Sequence, residues 1–165
     1  MLTLRPFAPG DEKVILRWID SETTFYRWSA GRYGQYPMDA SVLADAYASA
    51  GVEGPYPLVM TEDGVPVGHL LVRYPGEDRG IVRFGFVIVD GSRRGQGLGK
   101  RMLRLAVAFA REQLHARRVT IGVFEDNAPA RACYRAIGFE ELPEREQYEL
   151  CGTTWSCVEM AMTLA

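Results

Sequence analysis

The sequence predicts a single α+β domain, and three observations predict it. Period-two apolar runs over residues 57–61 and 65–74 flank Glu62-Asp63-Gly64, a strong hairpin signal, and a third run over 81–89 completes an antiparallel meander. A long helical stretch over 97–116 then leads into the β-branched run 119–124, so strand–helix–strand forms a right-handed crossover if the two strands are parallel neighbours. Finally, the 165 residues contain no internal repeat, linker or low-complexity segment, and that length buries a core without disulfides or metal.

Each element follows from local chemistry. Leu2 to Phe7 alternates as a short strand, and Pro9-Gly10 ends it. Asp11 is the expected N-cap of a helix carrying Val14, Ile15, Trp18 and Ile19. Residues 20–37 read as an aromatic-rich loop, followed by a short helix over 41–49 with Gly51 just beyond it. In the long helix, Leu98, Met102, Leu105, Ala106 and Phe109 form one apolar stripe, and Leu103, Val107, Ala110 and Leu114 a second beside it. So wide an apolar arc predicts a mostly buried helix. A second helix spans 127–137, with Gly138 as its C-terminal stop. Strands are expected from Phe139 onward and over 153–164, where Val158, Met160, Met162 and Leu164 share a face that covers the core or joins a dimer.

Composition narrows the function. The chain is 47% hydrophobic and 24% charged, which excludes disorder. A formal net charge of −2 supplies no basic field for nucleic acid or an anionic membrane, so neither is an expected partner. The three cysteines, Cys133, Cys151 and Cys157, lack metal-site spacing and the two histidines lie in unrelated segments. Reduced thiols, no metal and a cytoplasmic location are the expectation. The first residues do not resemble a signal peptide, and no stretch approaches a membrane span.

The most informative segment runs from the strand Val87-Ile88-Val89 into Arg94-Gly95-Gln96-Gly97-Leu98-Gly99-Lys100 and the long helix. Successive glycines let backbone N–H groups converge, and the helix N-terminus adds partial positive charge, a combination suited to a pyrophosphate. Arg93, Arg94 and Lys100 add formal charge. The Walker spacing fails because Arg94 stands at its first glycine and Arg101 follows Lys100; the Rossmann spacing fails at Lys100 or Met102. Arg94-x-x-Gly97-x-Gly99 resembles instead the (Arg/Gln)-x-x-Gly-x-(Gly/Ala) signature of the GNAT superfamily of acetyl-CoA-dependent N-acetyltransferases. Asn127-Ala-Pro-Ala-Arg-Ala-Cys-Tyr134-Arg-Ala-Ile-Gly138-Phe139 resembles a second family segment in the right order, and the resemblance is tight over roughly residues 65–140.

The resemblance implies a mixed, mostly antiparallel twisted sheet of about seven strands, splayed between its fourth and fifth strands, with about four flanking helices. It implies acetyl-CoA as acetyl donor and an amine as acceptor, a small molecule or a peptide. Val87, Ile88 and Val89 are then expected to pair with the pantetheine arm and supply an oxyanion N–H, and the loop from Arg94 to Lys100 to hold the pyrophosphate. Tyr134 matches the tyrosine that donates to the leaving thiolate, with Ala130 leaving room beside it. On helical position alone, Tyr134 reads as a core tyrosine. Asn127 either contacts the cofactor or caps its helix.

An alkylammonium is only about one part in a thousand neutral at pH 7, so its proton must go somewhere. Many relatives carry a glutamate on the strand before the loop, but residues 82–89 here hold Arg83 and no carboxylate. Water-mediated proton loss, or a carboxylate from elsewhere such as Glu149, is the alternative. Phe25, Tyr26, Trp28 and Tyr33, with Tyr36, read as an acceptor wall or as loop-anchoring hydrophobes. Glu140, Glu141, Glu144, Glu146 and Glu149 read as a cation-attracting cluster or a solvated hairpin. Two other functions stay open: acetylation of a protein N-terminus, and an acetyl-CoA-binding sensor with weak catalysis. The sequence leaves the oligomeric state open, a monomer or a homodimer.

Overall fold

The computed structural model describes all 165 residues. Seven strands form one sheet in the order β1-β2-β3-β4-β5-β7-β6. They are β1 (Leu2–Pro6), β2 (Tyr56–Glu62), β3 (Val65–Arg73), β4 (Ile81–Val89), β5 (Arg118–Phe124), β6 (Glu140–Leu150) and β7 (Thr153–Thr163). Five α-helices flank it: α1 (Asp11–Arg17), α2 (Glu22–Ser29), α3 (Ala40–Tyr47), α4 (Leu98–Glu112) and α5 (Ala128–Ile137). All neighbouring strands are antiparallel except β4 and β5, whose parallel pairing is the crossover through α4.

Helices cover both faces, so the central strands are buried on both sides and their alternation separates two cores. Leu58, Met60, Leu70, Val72, Val82, Phe84, Val119 and Ile121 point to the larger core with α4 and α5. Val59 and Leu71 point the other way, to a smaller core with Ile15, Phe25, Trp28 and Leu43 from α1–α3. Six buried positions of α4, among them Met102, Leu103 and Ala106, anchor it to the sheet, each contributing about 1.5–3 kcal/mol for a large side chain. Val158 and Met160 of β7, and Leu164 just past its end, are buried in the larger core, with Met162 packed against it.

Two expectations change. Residues 20–37 are not all loop: Ser21 accepts from the Thr24 N–H and starts α2, which ends at Ala30 in the left-handed region (φ 52°). Its Thr, Phe, Tyr, Trp and Ser residues are mediocre helix formers, and burial of Phe25 and Trp28 on one face outweighs that propensity. The helices therefore number five rather than about four. Asp11 is the first helical residue rather than the N-cap, a place taken by Gly10 (φ 101°). Its carboxylate accepts from the Ala8 N–H (2.8 Å) and pairs with both terminal nitrogens of Arg5 (2.7 and 3.1 Å). Burial alone raises the Asp11 pKa, but these bonds outweigh it and hold the group below its ordinary value.

Candidate active site

β4 and β5 pair only from Ile81↔Arg118 to Phe84↔Ile121, although β4 continues to Val89 and β5 to Phe124. Beyond that point the strands diverge, and the opening is a cleft of about 520 Å³. Phe84–Ile88 line one side, Ile121–Phe124 the other, and Asn127, Pro129 and Tyr134 of the α5 segment close one end. Trp28, Arg32, Arg73 and Tyr148 lie at the other end.

The backbone of β4 is irregular where the cleft begins. Its register with β3 slips between Leu71↔Gly85 and His69↔Ile88, and Phe86 takes φ 51°. This bulge re-aims Val87 and Ile88 towards the gap. Two groups of the smaller core hold it. The Trp28 indole N–H donates to the Phe86 carbonyl (2.9 Å), and the Tyr33 ring stacks on Phe86 at 4.6 Å. Tyr33 in turn bonds the Tyr47 hydroxyl (3.1 Å), which contacts Nε2 of the fully buried His69 (2.9 Å). Burial pushes the His69 pKa down to about 4, so the imidazole is neutral above that pH.

After β4, Asp90 caps a single 3-10 turn (Gly91–Arg93) through the Ser92 N–H. Gly95 (φ 81°) and Gly97 (φ 72°) occupy the left-handed region, and Gly97 is the N-cap of α4. An added Cβ at either would meet nothing within 4 Å, so backbone conformation, not space, calls for glycine. No acidic residue sits in the first turn of α4, and Arg94 and Lys100 are exposed beside it. Arg93 is engaged elsewhere, by Glu62 (3.0 and 3.1 Å) and Gln96 (2.8 Å). The loop thus presents free N–H groups, a helix N-terminus and two free cations to one region, as a pyrophosphate needs.

Tyr134 is buried in the larger core, yet its ring borders the cleft and no protein group bonds its hydroxyl. Burial, then the nearby Cys133 and Cys157, push its pKa well above the ordinary tyrosine value, keeping the phenol protonated at all working pH. Asn127 borders the cleft and also caps α5, accepting from the Ala130 N–H at 3.4 Å.

This architecture has counterparts. The Acetyltransferase (GNAT) family matches residues 15–139. The chain belongs to the GNAT acetyltransferase family. It is 32% identical to the L-amino acid N-acetyltransferase AaaT of Escherichia coli over 95 residues, 56% of this chain and 58% of that protein. It is 29% identical to an N-acetyltransferase 9-like protein of Nematostella vectensis over 73 residues, 44% of this chain and 37% of that one. The matched segments thus span less than two thirds of either relative. Among solved structures, spermidine N-acetyltransferase of Vibrio cholerae in complex with CoA and spermine superposes with a TM-score of 0.81 at 16% identity, over 98% of this chain and 95% of that one. The yncA protein of Salmonella typhimurium with its cofactor acetyl-CoA gives 0.76 at 20% identity, over 99% and 94%.

The GNAT cleft gathers some expected residues and leaves others outside. Val87, Ile88, Arg94, Asn127, Tyr134 and Trp28 border it. Val89 pairs with Gly68 in the sheet, and Ala130 packs against the larger core while Pro129 takes the place expected for it. Gly95, Gln96, Gly97, Leu98, Gly99 and Lys100 form the loop and first turn outside the opening, with Leu98 buried. Phe25, expected on an acceptor wall, is wholly buried and cannot touch a ligand. Tyr26 and Tyr33 pack against the smaller core behind Trp28. The hairpin glutamates do not border the cleft: Glu141 is held by Arg131 and Arg135 of α5, and Glu149 accepts from Thr154 (2.6 Å).

Sequence reasoning missed the cleft's other side chains. Arg27, Arg32, Arg73 and Arg83 border it along with Arg94, and no aspartate or glutamate does. The available signal was a lone charge inside an apolar strand, Arg73 ending β3 and Arg83 within β4. No group of three or more His, Cys, Asp or Glu side chains is placed to hold a metal ion. No helix is long and apolar enough to cross a membrane.

Proposed function

We propose that this protein transfers the acetyl group of acetyl-CoA to a primary amine of a small molecule by direct attack, with both substrates bound at once. One observation carries the proposal: a single cleft brings together the β4 bulge, the free Tyr134 hydroxyl, Arg94 of the loop and the side chains of Trp28, Arg32, Arg73 and Tyr148. Acetyl-CoA is here a substrate, and the residues fit it. The unpaired edges of β4 and β5 suit the two pantetheine amides, and the loop with Arg94 and Lys100 suits the pyrophosphate.

In this reading the acceptor nitrogen forms a bond to the thioester carbonyl carbon as the carbon–sulfur bond breaks. Backbone N–H groups around Val87 and Ile88 take the charge developing on the carbonyl oxygen. The amine proton leaves to water, since no carboxylate borders the cleft. The departing sulfur receives a hydrogen bond from the Tyr134 hydroxyl, and the thiolate then takes its proton from solvent. Relatives named for spermidine and for L-amino acids are consistent with a small acceptor. We further propose that the protein works in the cytoplasm.

Calorimetric titration with acetyl-CoA, with NADH and ATP as controls, tests the donor, and thiol release with an amine panel tests the transfer. Saturable binding selective for acetyl-CoA is expected, with a rise in melting temperature reflecting about 2.7 kcal/mol at a hundredfold excess over Kd. Absence of binding at millimolar acetyl-CoA rejects the proposal. Binding without thiol release for any amine or peptide favours the sensor instead.

A further inference from the structure

The charges at the pocket end of the cleft are unevenly satisfied. Arg27 pairs with Asp126 (2.8 Å). Arg83 crosses β5 at Gly122 to pair with Glu159, the register partner of Gly122 on β7. A Cβ on Gly122 would sit 2.8 Å from the Arg83 guanidinium, so a larger residue there would push the guanidinium aside. Arg94 belongs to the loop end. Arg32 and Arg73 have no carboxylate partner, although both border the cleft.

Arg73 is the more unusual of the two. It is half-buried, and it lies directly opposite Arg83 in the β3–β4 register. Like charges in that relation destabilise a sheet, and a partly desolvated guanidinium adds to the cost. Burial, followed by the fields of Arg32 and Arg83, depresses the Arg73 pKa, and Glu159 and Tyr148 offset only part of it. Arg73 and Arg32 are near enough to feel each other, and Tyr148 lies beside both.

We propose that Arg73 and Arg32 bind a carboxylate of the acceptor, whose class is therefore a free α-amino acid rather than a polyamine. This rests on the acetyl-transfer proposal. A carboxylate takes the paired N–H fork that Arg73 offers and relieves its repulsion with Arg83. A di- or tricationic polyamine instead enters a pocket of arginines with no acid to receive it. The same field serves the chemistry. Positive neighbours disfavour the ammonium form, easing proton loss from the α-amine at a site where no carboxylate acts as base.

The test compares each L-amino acid with its own α-carboxamide, which keeps the shape and removes the charge, together with spermidine, in a thiol-release assay. The expected result is a kcat/KM for the best amino acid about 30- to 100-fold above that of its amide, arising in KM, with spermidine poorer still. Arg73→Met should collapse that amino-acid-to-amide ratio by more than about tenfold, and Arg73→Lys should restore part of it. Melting temperature and acetyl-CoA affinity report whether each variant is folded, and Arg32→Met supplies a second reading if Arg73→Met is not. Amides or spermidine turned over as well as amino acids, or an unchanged ratio in both folded variants, overturns the inference while acetyl transfer stands. No thiol release from any acceptor, with acetyl-CoA bound, overturns acetyl transfer and the inference with it.

Discussion

At the loop end of the cleft the chain presents backbone, whereas at the other end it presents side chains. The loop end consists of Gly95 and Gly97 at positive φ, the start of α4 and the open edge of β4 past its bulge. The pocket end consists of Arg32, Arg73, Trp28 and Tyr148, drawn from the α2 region, β3 and β6. A backbone site serves a ligand whose chemistry does not vary, because its donors are fixed by conformation. A side-chain site can be rewritten residue by residue without disturbing the fold. The difference predicts that substitutions at the two ends will separate cleanly into effects on transfer, on donor affinity and on acceptor choice.

The largest expected effect is at Tyr134, the one side chain at that end placed to meet the leaving sulfur rather than the phosphates. Tyr134→Phe removes a hydroxyl that no protein group bonds, so stability should hold. Loss of its hydrogen bond to the leaving sulfur should lower kcat about 10²- to 10³-fold with little change in acetyl-CoA affinity. Steady-state thiol release alongside calorimetry separates the two. An unchanged kcat returns Tyr134 to the role of a core residue.

How much of this was legible in the sequence follows the same division. Gly95, Gly97 and Asn127 to Tyr134 act through local spacing, and spacing along the chain is what a sequence displays. The splay between β4 and β5 came with the family resemblance and is present. The arginine pocket depends on Arg73 facing Arg83, and on Arg83 passing Gly122 to Glu159, pairings between segments far apart in the chain. Register of that kind leaves no local pattern. Helix α2 was hidden for another reason, since Phe25 and Trp28 stabilise it by packing that its poor intrinsic propensity does not announce.

A smaller effect distinguishes two glycines that the signature treats alike. Gly97 needs φ 72°, so Gly97→Ala should cost about 1–2 kcal/mol, read as a lower melting temperature or as acetyl-CoA binding weakened about five- to thirtyfold. Gly99 lies inside α4 and its added Cβ would make an ordinary 3.8 Å contact with the Cys133 sulfur. Gly99→Ala should leave both measurements near wild type. Equal losses at the two positions would mean that close approach of the ligand, not backbone conformation, makes the loop glycine-rich.

The smallest expected effect is the most direct probe of whether the two ends are independent. Trp28 stands on the pocket wall, yet its indole N–H holds the Phe86 carbonyl at the bulge that aims Val87 and Ile88 into the gap. Trp28→Phe keeps an aromatic ring in the smaller core and removes the donor, leaving a partly buried carbonyl without its partner. A loss of about 1 kcal/mol in stability is expected. If the bulge shifts as its restraint goes, kcat should fall several-fold for every acceptor alike, because the displaced group serves the thioester and not the amine. A variant that is destabilised but transfers at the wild-type rate would show that β3 and Tyr33 hold the bulge unaided, and that the pocket wall can be altered without touching the chemistry.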